Sequence, residues 1–285
     1  MPTTIADYMN SYRATWCPGC GNFGIWAALR RALVDMDLPP HKLLCVYDIG
    51  CSGNGSNWFH AYGFHSLHGR SLPAAMGAKL ANREQTVIAF AGDGGGFGEG
   101  GNHFLHTCRT NIDMTYVVHD NQLYSLTTGQ ASPTSDQGME TKSTPSGDPD
   151  LPLRPLQLAI SAGATWVGRG FADDLVGLSQ LYRQAIEHKG FAVLDVLQPC
   201  VTFNHFNTRE WYAEHTFKLT DKDHDPGDRG KALLLAGEWN GKIPLGVIYR
   251  EQRPTYEDHF PQLAGTPLTQ RVAARNVTPL LEQFR

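Results

Sequence analysis

Two sets of residues in this chain have the types and spacing to do chemistry. The first is Gly92-Asp93-Gly94-Gly95-Gly96, which follows the apolar run 86–91 and sets one carboxylate among glycines. Glycines let backbone N–H groups come close to a phosphate, and a helix expected to begin near Glu99 adds positive potential. A carboxylate there repels phosphate unless a hard cation lies between them, and Mg²⁺ takes oxygen ligands in this way, one or two from protein and the rest from phosphate and water. Asn121, at the end of the next apolar run, and the carbonyl of Leu123 could complete the shell. A glycine turn with a capping aspartate is the plain alternative. The pattern fits neither the dinucleotide fingerprint, whose acidic residue comes about 20 residues after the glycines, nor a P-loop, which needs Gly-Lys-Ser/Thr.

The second set is Cys17-Pro-Gly-Cys20 with Cys51 and Cys200. The CxxC alone reads as a redox dithiol, half a zinc site or part of an iron–sulfur site. A thioredoxin-like dithiol follows a strand, and the first sixteen residues contain none. Cys51 and Cys200 lie at apparent strand ends, on the edge that carries the glycine loop, so four thiolates can converge there. Zn²⁺ suits such a cage as well, but a closed zinc site beside a phosphate loop has no chemical task and a [4Fe–4S] cluster has one. Cys45, inside a buried-strand pattern, and Cys108, on a helix, read as small core hydrophobes. His103 and His106 share a helix face, but nothing has ligand spacing with them, so solvent or core hydrogen bonding is the better reading.

These residues need a frame, and the pattern supplies one. Apolar positions from Asn22 to Met36 recur every three or four residues, predicting a helix; helices are also expected over 72–80, 99–109 and 175–187. Strands are expected over 43–48, 86–91, 114–119 and 191–197. Strands alternating with helices argue for an α/β fold, a mostly parallel sheet flanked by helices on both faces, with ligands beyond the carboxyl ends of the strands. Residues 127–155 form an irregular, proline-rich excursion, and a loop of that length in a compact domain is usually functional. The rhythm fades after Cys200. The expected organisation is one α/β domain, 1–203, and a C-terminal extension, 204–285, with helical pieces at 231–239 and 269–274 and a strand at 245–249.

The chain has 285 residues, enough for a large core, and its formal charge of −4 offers no electrostatic footprint for nucleic acid. Charged residues make up 18%, below the usual ~25%, which points to surface covered by another subunit. No apolar stretch reaches the ~18 residues of a membrane span. The first sixteen residues lack the apolar core of a signal peptide, so a cytoplasmic location is expected, with the six cysteines not in structural disulfides.

Taken in order, several separated motifs resemble one family. Cys17-Pro-Gly-Cys20-Gly, Asp48-Ile-Gly-Cys51-Ser52, Gly63-Phe-His65-Ser-Leu-His68-Gly69-Arg70, Gly92-Asp93-Gly94 and Asp120-Asn121-Gln-Leu-Tyr-Ser-Leu-Thr-Thr-Gly-Gln130 look like the β subunit of 2-oxoacid:ferredoxin oxidoreductases. The likeness runs on through Gln198-Pro-Cys200-Val-Thr, 207–212 and 244–249, covering nearly the whole chain. One departure is Asp120, since the thiamine diphosphate motif usually ends in Asn-Asn.

That resemblance implies a thiamine diphosphate-binding fold and a set of roles. Cys17, Cys20, Cys51 and Cys200 would ligate one [4Fe–4S] cluster. Asp93, Asn121 and the Leu123 carbonyl would hold Mg²⁺. Ile49, Gly50, Cys51, Ser52, His68, Gly94, Gly95, Ser125 and Leu126 would contact thiamine diphosphate. The implied reaction is coenzyme A-dependent oxidative decarboxylation of a 2-oxoacid, or its reverse, with electrons leaving through the cluster to ferredoxin. No glutamate motif for activating thiamine is present; in the family it comes from the α subunit, so this chain would be incomplete alone. The match at 207–212 favours 2-oxoglutarate over pyruvate, with Asn54 and Arg70 as candidate substrate-selecting residues. A non-redox thiamine decarboxylase subunit and a zinc-binding scaffold are the rival readings.

Overall fold

The computed structural model describes residues 2–220, 224–239, 241–271 and 276–284. In chain order its main elements are α1 (Asn22–Asp35), β1 (Leu43–Tyr47), β2 (Tyr62–His65), α2 (Ser71–Ala81), β3 (Thr86–Gly92), α3 (Gly101–Thr110) and β4 (Met114–Asp120). A small hairpin follows, β5 (Leu123–Tyr124) with β6 (Gln130–Ala131), and then α4 (Pro155–Ala162), β7 (Trp166–Phe171), α5 (Leu175–Glu187) and β8 (Phe191–Leu197). The chain ends with α6 (Arg209–His215), β9 (Thr216–Lys218), α7 (Arg229–Gly237), β10 (Ile243–Arg250) and α8 (Thr278–Glu282). Among the described residues, no helix is long and apolar enough to cross a membrane.

Eight strands form one sheet in the order β2-β1-β3-β4-β8-β7-β10-β9. Neighbours are parallel except β7 and β10, which run antiparallel. Side chains of a strand point alternately to its two faces, and β3 shows how that builds two cores. Val87, Ala89 and Ala91 join the side chains of α2, α3, α4 and α7 on one face. Ile88 and Phe90 join those of α1 and α5 on the other. A fully buried Phe or Ile side chain stabilises the fold by roughly 1.5–3 kcal/mol, so a one-residue slip of β3, which would exchange the two sets, is strongly disfavoured. β4 and β8, central in the sheet, are buried along their whole length, while β2 at the edge is exposed throughout.

The α/β class with a mostly parallel sheet is as expected, and the segments predicted for α1, α5, β3, β4 and β8 form within a residue or so. Three differences have physical causes. The helix expected from Glu99 is preceded by one wide turn of π-helix, Gly94–Glu99, closed by the Gly100 N–H on the Gly95 carbonyl at 2.8 Å. The helix expected at 231–239 begins two residues earlier, because the Asp228 side chain accepts the Lys231 N–H and caps it. Residues 268–270 make a single 3₁₀ turn instead of opening a helix, and 272–274 of that expected helix lie outside the described residues. The segment beyond 203 supplies β9 and β10, the last two strands of the same sheet, and α7 packs beside α4 over one face.

The connections place the site. From β1 the chain steps outward to β2 and then returns across β1 to β3, so the strand order reverses between β1 and β3. In open parallel sheets a crevice forms at such a switch point, beyond the carboxyl ends of the strands. Asp48 to Ser52 and Gly92 to Gly95 occupy those ends.

Candidate functional site

A cleft opens at this edge, and its lining gathers most of the residues nominated for cofactor and metal: Ile49, Gly50, Cys51 and Ser52 after β1; His68; Gly94 and Gly95 after β3; Asn121, Leu123, Ser125 and Leu126 after β4. Gly94 and Gly95 are needed here for closeness. A Cβ at Gly94 would lie 2.5 Å from the Tyr124 ring, and one at Gly95 would lie 2.7 Å from Asp48 Oδ2 and 2.9 Å from the His68 ring. The bare backbone of the turn is what leaves space between these side chains. A larger cavity, about 270 Å³ against about 50 Å³ for the cleft, lies between β7, α5 and β10 and contains none of the residues nominated for cofactor or metal; size alone does not mark the site.

Asp93 sits beneath the cleft, fully buried. Ser132 Oγ donates to its Oδ2 at 2.5 Å, Thr134 Oγ1 donates to the same oxygen at 2.8 Å, and the Asn121 N–H reaches Oδ1 at 3.4 Å. Burial still pushes the carboxyl up to about 6, so even these donors do not replace lost hydration. A cation beside Asp93 would compensate its burial in the charged form. Asn121 is held by an Asx turn, its Oδ1 accepting the Leu123 N–H at 3.2 Å and Ser125 Oγ at 2.7 Å. Asp120 is buried as well, and burial, then the charges of Asp195 and Asp93, push it well above the usual carboxylate range. Thr134 Oγ1 reaches Asp120 Oδ1 as well, at 3.1 Å, and the Gln122 N–H donates to the same oxygen at 3.1 Å.

Asp48, where β1 ends, takes the Ile49 and Gly69 N–H groups on Oδ1, both at 2.7 Å. Its Oδ2 is buried without a partner, as are Ser52 Oγ and His119 Nε2. Burial raises Asp48 to about 6 and lowers His119 to about 3. Ser52 and His119 line the cleft, so two unpartnered polar atoms sit in the walls of a cavity flanked by bare glycine backbone. That is the arrangement of a pocket built for a polar ligand.

The three loops that carry the four cysteines meet beside this cleft. Trp16 Nε1 donates to the Cys51 carbonyl at 2.7 Å, the Gly21 N–H to the Pro199 carbonyl at 3.2 Å, and Gln198 Nε2 to Cys20 Sγ at 3.4 Å. Burial pushes the Cys51 thiol up to about 12, with Cys20, Cys200 and Cys17 close enough to add to the effect. Burial also raises Cys20, against N–H donors from Asn22 and Gln198. Among the described residues, no three His, Cys, Asp or Glu side chains are gathered tightly enough to hold a single metal ion. The thiols are neighbours around a shared space, not a closed cage. Cys45 and Cys108 are fully buried in the two cores.

Asn54 and Arg70 are not in the cleft lining. Asn54 rides on a 3₁₀ turn, Gly53–Asn57, and the Arg70 guanidinium donates to the carbonyls of Gly69 at 3.1 Å and Glu99 at 2.6 Å, pinning the His68 loop to the π turn. His68 Nε2 stands 3.8 Å from Glu99 Oε2. Sequence reasoning gave no role to Gln198, Asp48, His119, Ser132 or Thr134. Gln198, the first residue after β8, could have been found by its strand-end position; Ser132 and Thr134 lie in the irregular excursion and reach Asp93 only through the fold.

Comparison with known proteins agrees with this geometry. Residues 48–196 match the family model of the thiamine pyrophosphate enzyme C-terminal TPP-binding domain, and residues 200–265 match the model of the C-terminal part of the pyruvate ferredoxin oxidoreductase beta chain. The chain is 42% identical to a 2-oxoacid:ferredoxin oxidoreductase subunit beta from Saccharolobus solfataricus, over 89% of this chain and 93% of that one. It is 41% identical to the 2-oxoglutarate oxidoreductase subunit KorB of Mycobacterium tuberculosis, over 71% of this chain and 54% of that one. A solved 2-oxoglutarate:ferredoxin oxidoreductase from Magnetococcus marinus, with 2-oxoglutarate, coenzyme A and succinyl-CoA bound, superposes with a TM-score of 0.91 at 35% identity, covering 99% of this chain and 96% of that one. A glycine-lined cleft at the switch point of a parallel sheet, together with these matches along the whole chain, makes it a member of the 2-oxoacid:ferredoxin oxidoreductase β-subunit family.

Proposed function

We propose that this chain, paired with an α subunit, carries out the coenzyme A-dependent oxidative decarboxylation of 2-oxoglutarate to succinyl-CoA, or the reverse, and passes electrons through one [4Fe–4S] cluster to ferredoxin. Asp93, Asn121 and the Leu123 carbonyl would hold Mg²⁺; Ile49 to Ser52, His68, Gly94, Gly95, Ser125 and Leu126 would surround thiamine diphosphate; Cys17, Cys20, Cys51 and Cys200 would ligate the cluster. When bound, thiamine diphosphate supplies the nucleophile and electron sink for decarboxylation, and the cluster accepts electrons singly.

The observation that carries the reading is that Cys51 lines the cleft itself while its carbonyl takes the Trp16 indole N–H from the loop of Cys17 and Cys20. One residue thus belongs to the cofactor wall and to the group of thiols. Thiols arranged as neighbours without a single-ion cage would suit a cluster of several irons, each thiolate holding one of them. The remaining residues position and exclude. Ser132 and Thr134 hold Asp93 toward Asn121, the Gly69 and Ile49 N–H groups hold Asp48, and Tyr124 OH, donating to Glu99 at 3.1 Å, closes one wall. The 2-oxoglutarate assignment draws on the named substrates of the KorB relatives and of the solved neighbour; the pyruvate name of the C-terminal family model supports the second choice.

The test is anaerobic copurification with the α subunit, followed by iron, sulfide and thiamine analysis and an assay of viologen reduction with coenzyme A. The expected result is iron and thiamine in the complex, with faster reduction on 2-oxoglutarate than on pyruvate. Thiamine without iron would favour the non-redox decarboxylase, zinc without thiamine the scaffold, and faster reduction on pyruvate would reassign the substrate.

A further inference from the structure

We propose that Gln198 is a positioning residue that joins the magnesium end of the cleft to Cys20 and raises the reduction potential of the cluster; the inference rests on the cofactor reading above. Gln198 is 2% exposed and lines the cleft. Its Oε1 accepts the Asn121 Nδ2–H at 3.1 Å, and its Nε2 donates to Cys20 Sγ at 3.4 Å. One amide therefore touches a candidate magnesium ligand and a candidate cluster ligand.

The direction of this relay is forced. The Leu123 backbone N–H can only donate, and it takes Asn121 Oδ1 at 3.2 Å. Asn121 must then present its nitrogen to Gln198, Gln198 must present its oxygen to Asn121, and the Gln198 nitrogen is left facing sulfur. The stem is fixed too: the Gln198 N–H donates to the Asp120 carbonyl at 2.8 Å, and a Cβ at Gly21 would lie 2.9 Å from Gln198 Cγ. An N–H aimed at a cluster sulfur favours the more negative, reduced form and so raises the potential. At its other end the same amide orients a metal ligand, and outer-shell partners of that kind tune metal affinity.

The test uses the anaerobically purified complex with the α subunit and two variants. Gln198→Met removes both ends at similar length; Gln198→Glu keeps the acceptor toward Asn121 and removes the amide donor to sulfur. Two readouts need no turnover: the midpoint potential from a redox titration followed by electron paramagnetic resonance, and the Mg²⁺ concentration that half-saturates thiamine diphosphate binding by calorimetry. In Gln198→Met the one-electron reduction equilibrium is expected to fall by up to about tenfold, a shift of about 59 mV to more negative potential. Its half-saturating Mg²⁺ should rise by about tenfold or more. In Gln198→Glu the Mg²⁺ requirement should return toward wild type while the potential stays low. An unchanged potential in both variants with iron retained overturns the proposal, as does loss of iron from both, which would reduce Gln198 to a packing residue. A wild-type complex without iron or thiamine overturns the proposed function instead, so the two failures are distinct.

Discussion

Thr134 Oγ1 donates to Asp93 Oδ2 at 2.8 Å, joining residues 41 positions apart. The irregular excursion after β6 therefore returns to the sheet edge to hold the carboxylate assigned to magnesium. Thr134→Val keeps the shape and removes the donor. Loss of such an outer-shell partner costs roughly 10–100-fold in metal affinity, so the Mg²⁺ needed for thiamine diphosphate binding should rise by about that factor by calorimetry. An unchanged requirement would detach the excursion from the site.

Cys51→Ser should abolish assembly of the proposed cluster, because a four-iron cluster needs its four thiolates. Iron and acid-labile sulfide in the anaerobic complex should fall to near zero, and the visible absorbance should go with them. Cys108→Ala removes a thiol that is fully buried in a core and should leave iron content unchanged. Equal iron in both variants would contradict the ligand assignment.

Asp48 gives a pH signature. Its carboxyl is raised to about 6 by burial, from about 4 when unfolded. The folded state therefore binds the proton more tightly, and the stability tied to it is full below pH ~4 and lost as pH rises through ~6. Asp48→Asn keeps an oxygen for the Ile49 and Gly69 N–H groups and carries no charge. Before cofactor is added it should unfold at higher denaturant than wild type at pH 8, by at most about 3 kcal/mol. The gain should shrink steadily as pH falls from 6 toward 4. A gain independent of pH would assign the effect to packing.

Arg169 and Asp195 form an ion pair at 3.1 Å with both side chains 1% exposed, and the guanidinium lies over the Trp239 ring. Arg169→Met would leave Asp195 buried without its partner beside Asp120, at a cost of about 3–5 kcal/mol. Adding Asp195→Leu should recover most of the loss in urea unfolding, since a well-packed apolar pair often equals a buried ionic one. A double variant no more stable than the single one would show that the pair does more than satisfy its own charges.

The legible part of this molecule is the part governed by short-range periodicity. The apolar spacing of α1, the two-faced burial of β3 and the continuous burial of β8 follow from which positions along a helix or strand share a face, and the sequence states those directly. β2 and β7 were missed for the converse reason. Tyr62–His65 is an exposed edge strand whose sheet pairing is to β1, and Trp166–Phe171 contains Arg169, which pairs in the buried sheet with Asp195 on the neighbouring strand.

The site divides along the same line. Residue type and order were enough to nominate Asp93, Asn121 and the cysteines, because glycine loops and thiols carry their chemistry locally. Only the tertiary structure decided that Ser132 and Thr134 hold Asp93, that Arg70 spends its hydrogen bonds on two backbone carbonyls, and that Gln198 stands between Asn121 and Cys20. Such roles depend on where strands separated by many residues end beside one another. Hydrogen bonds form with whatever donor the fold brings within reach, and a one-dimensional pattern contains no term for that.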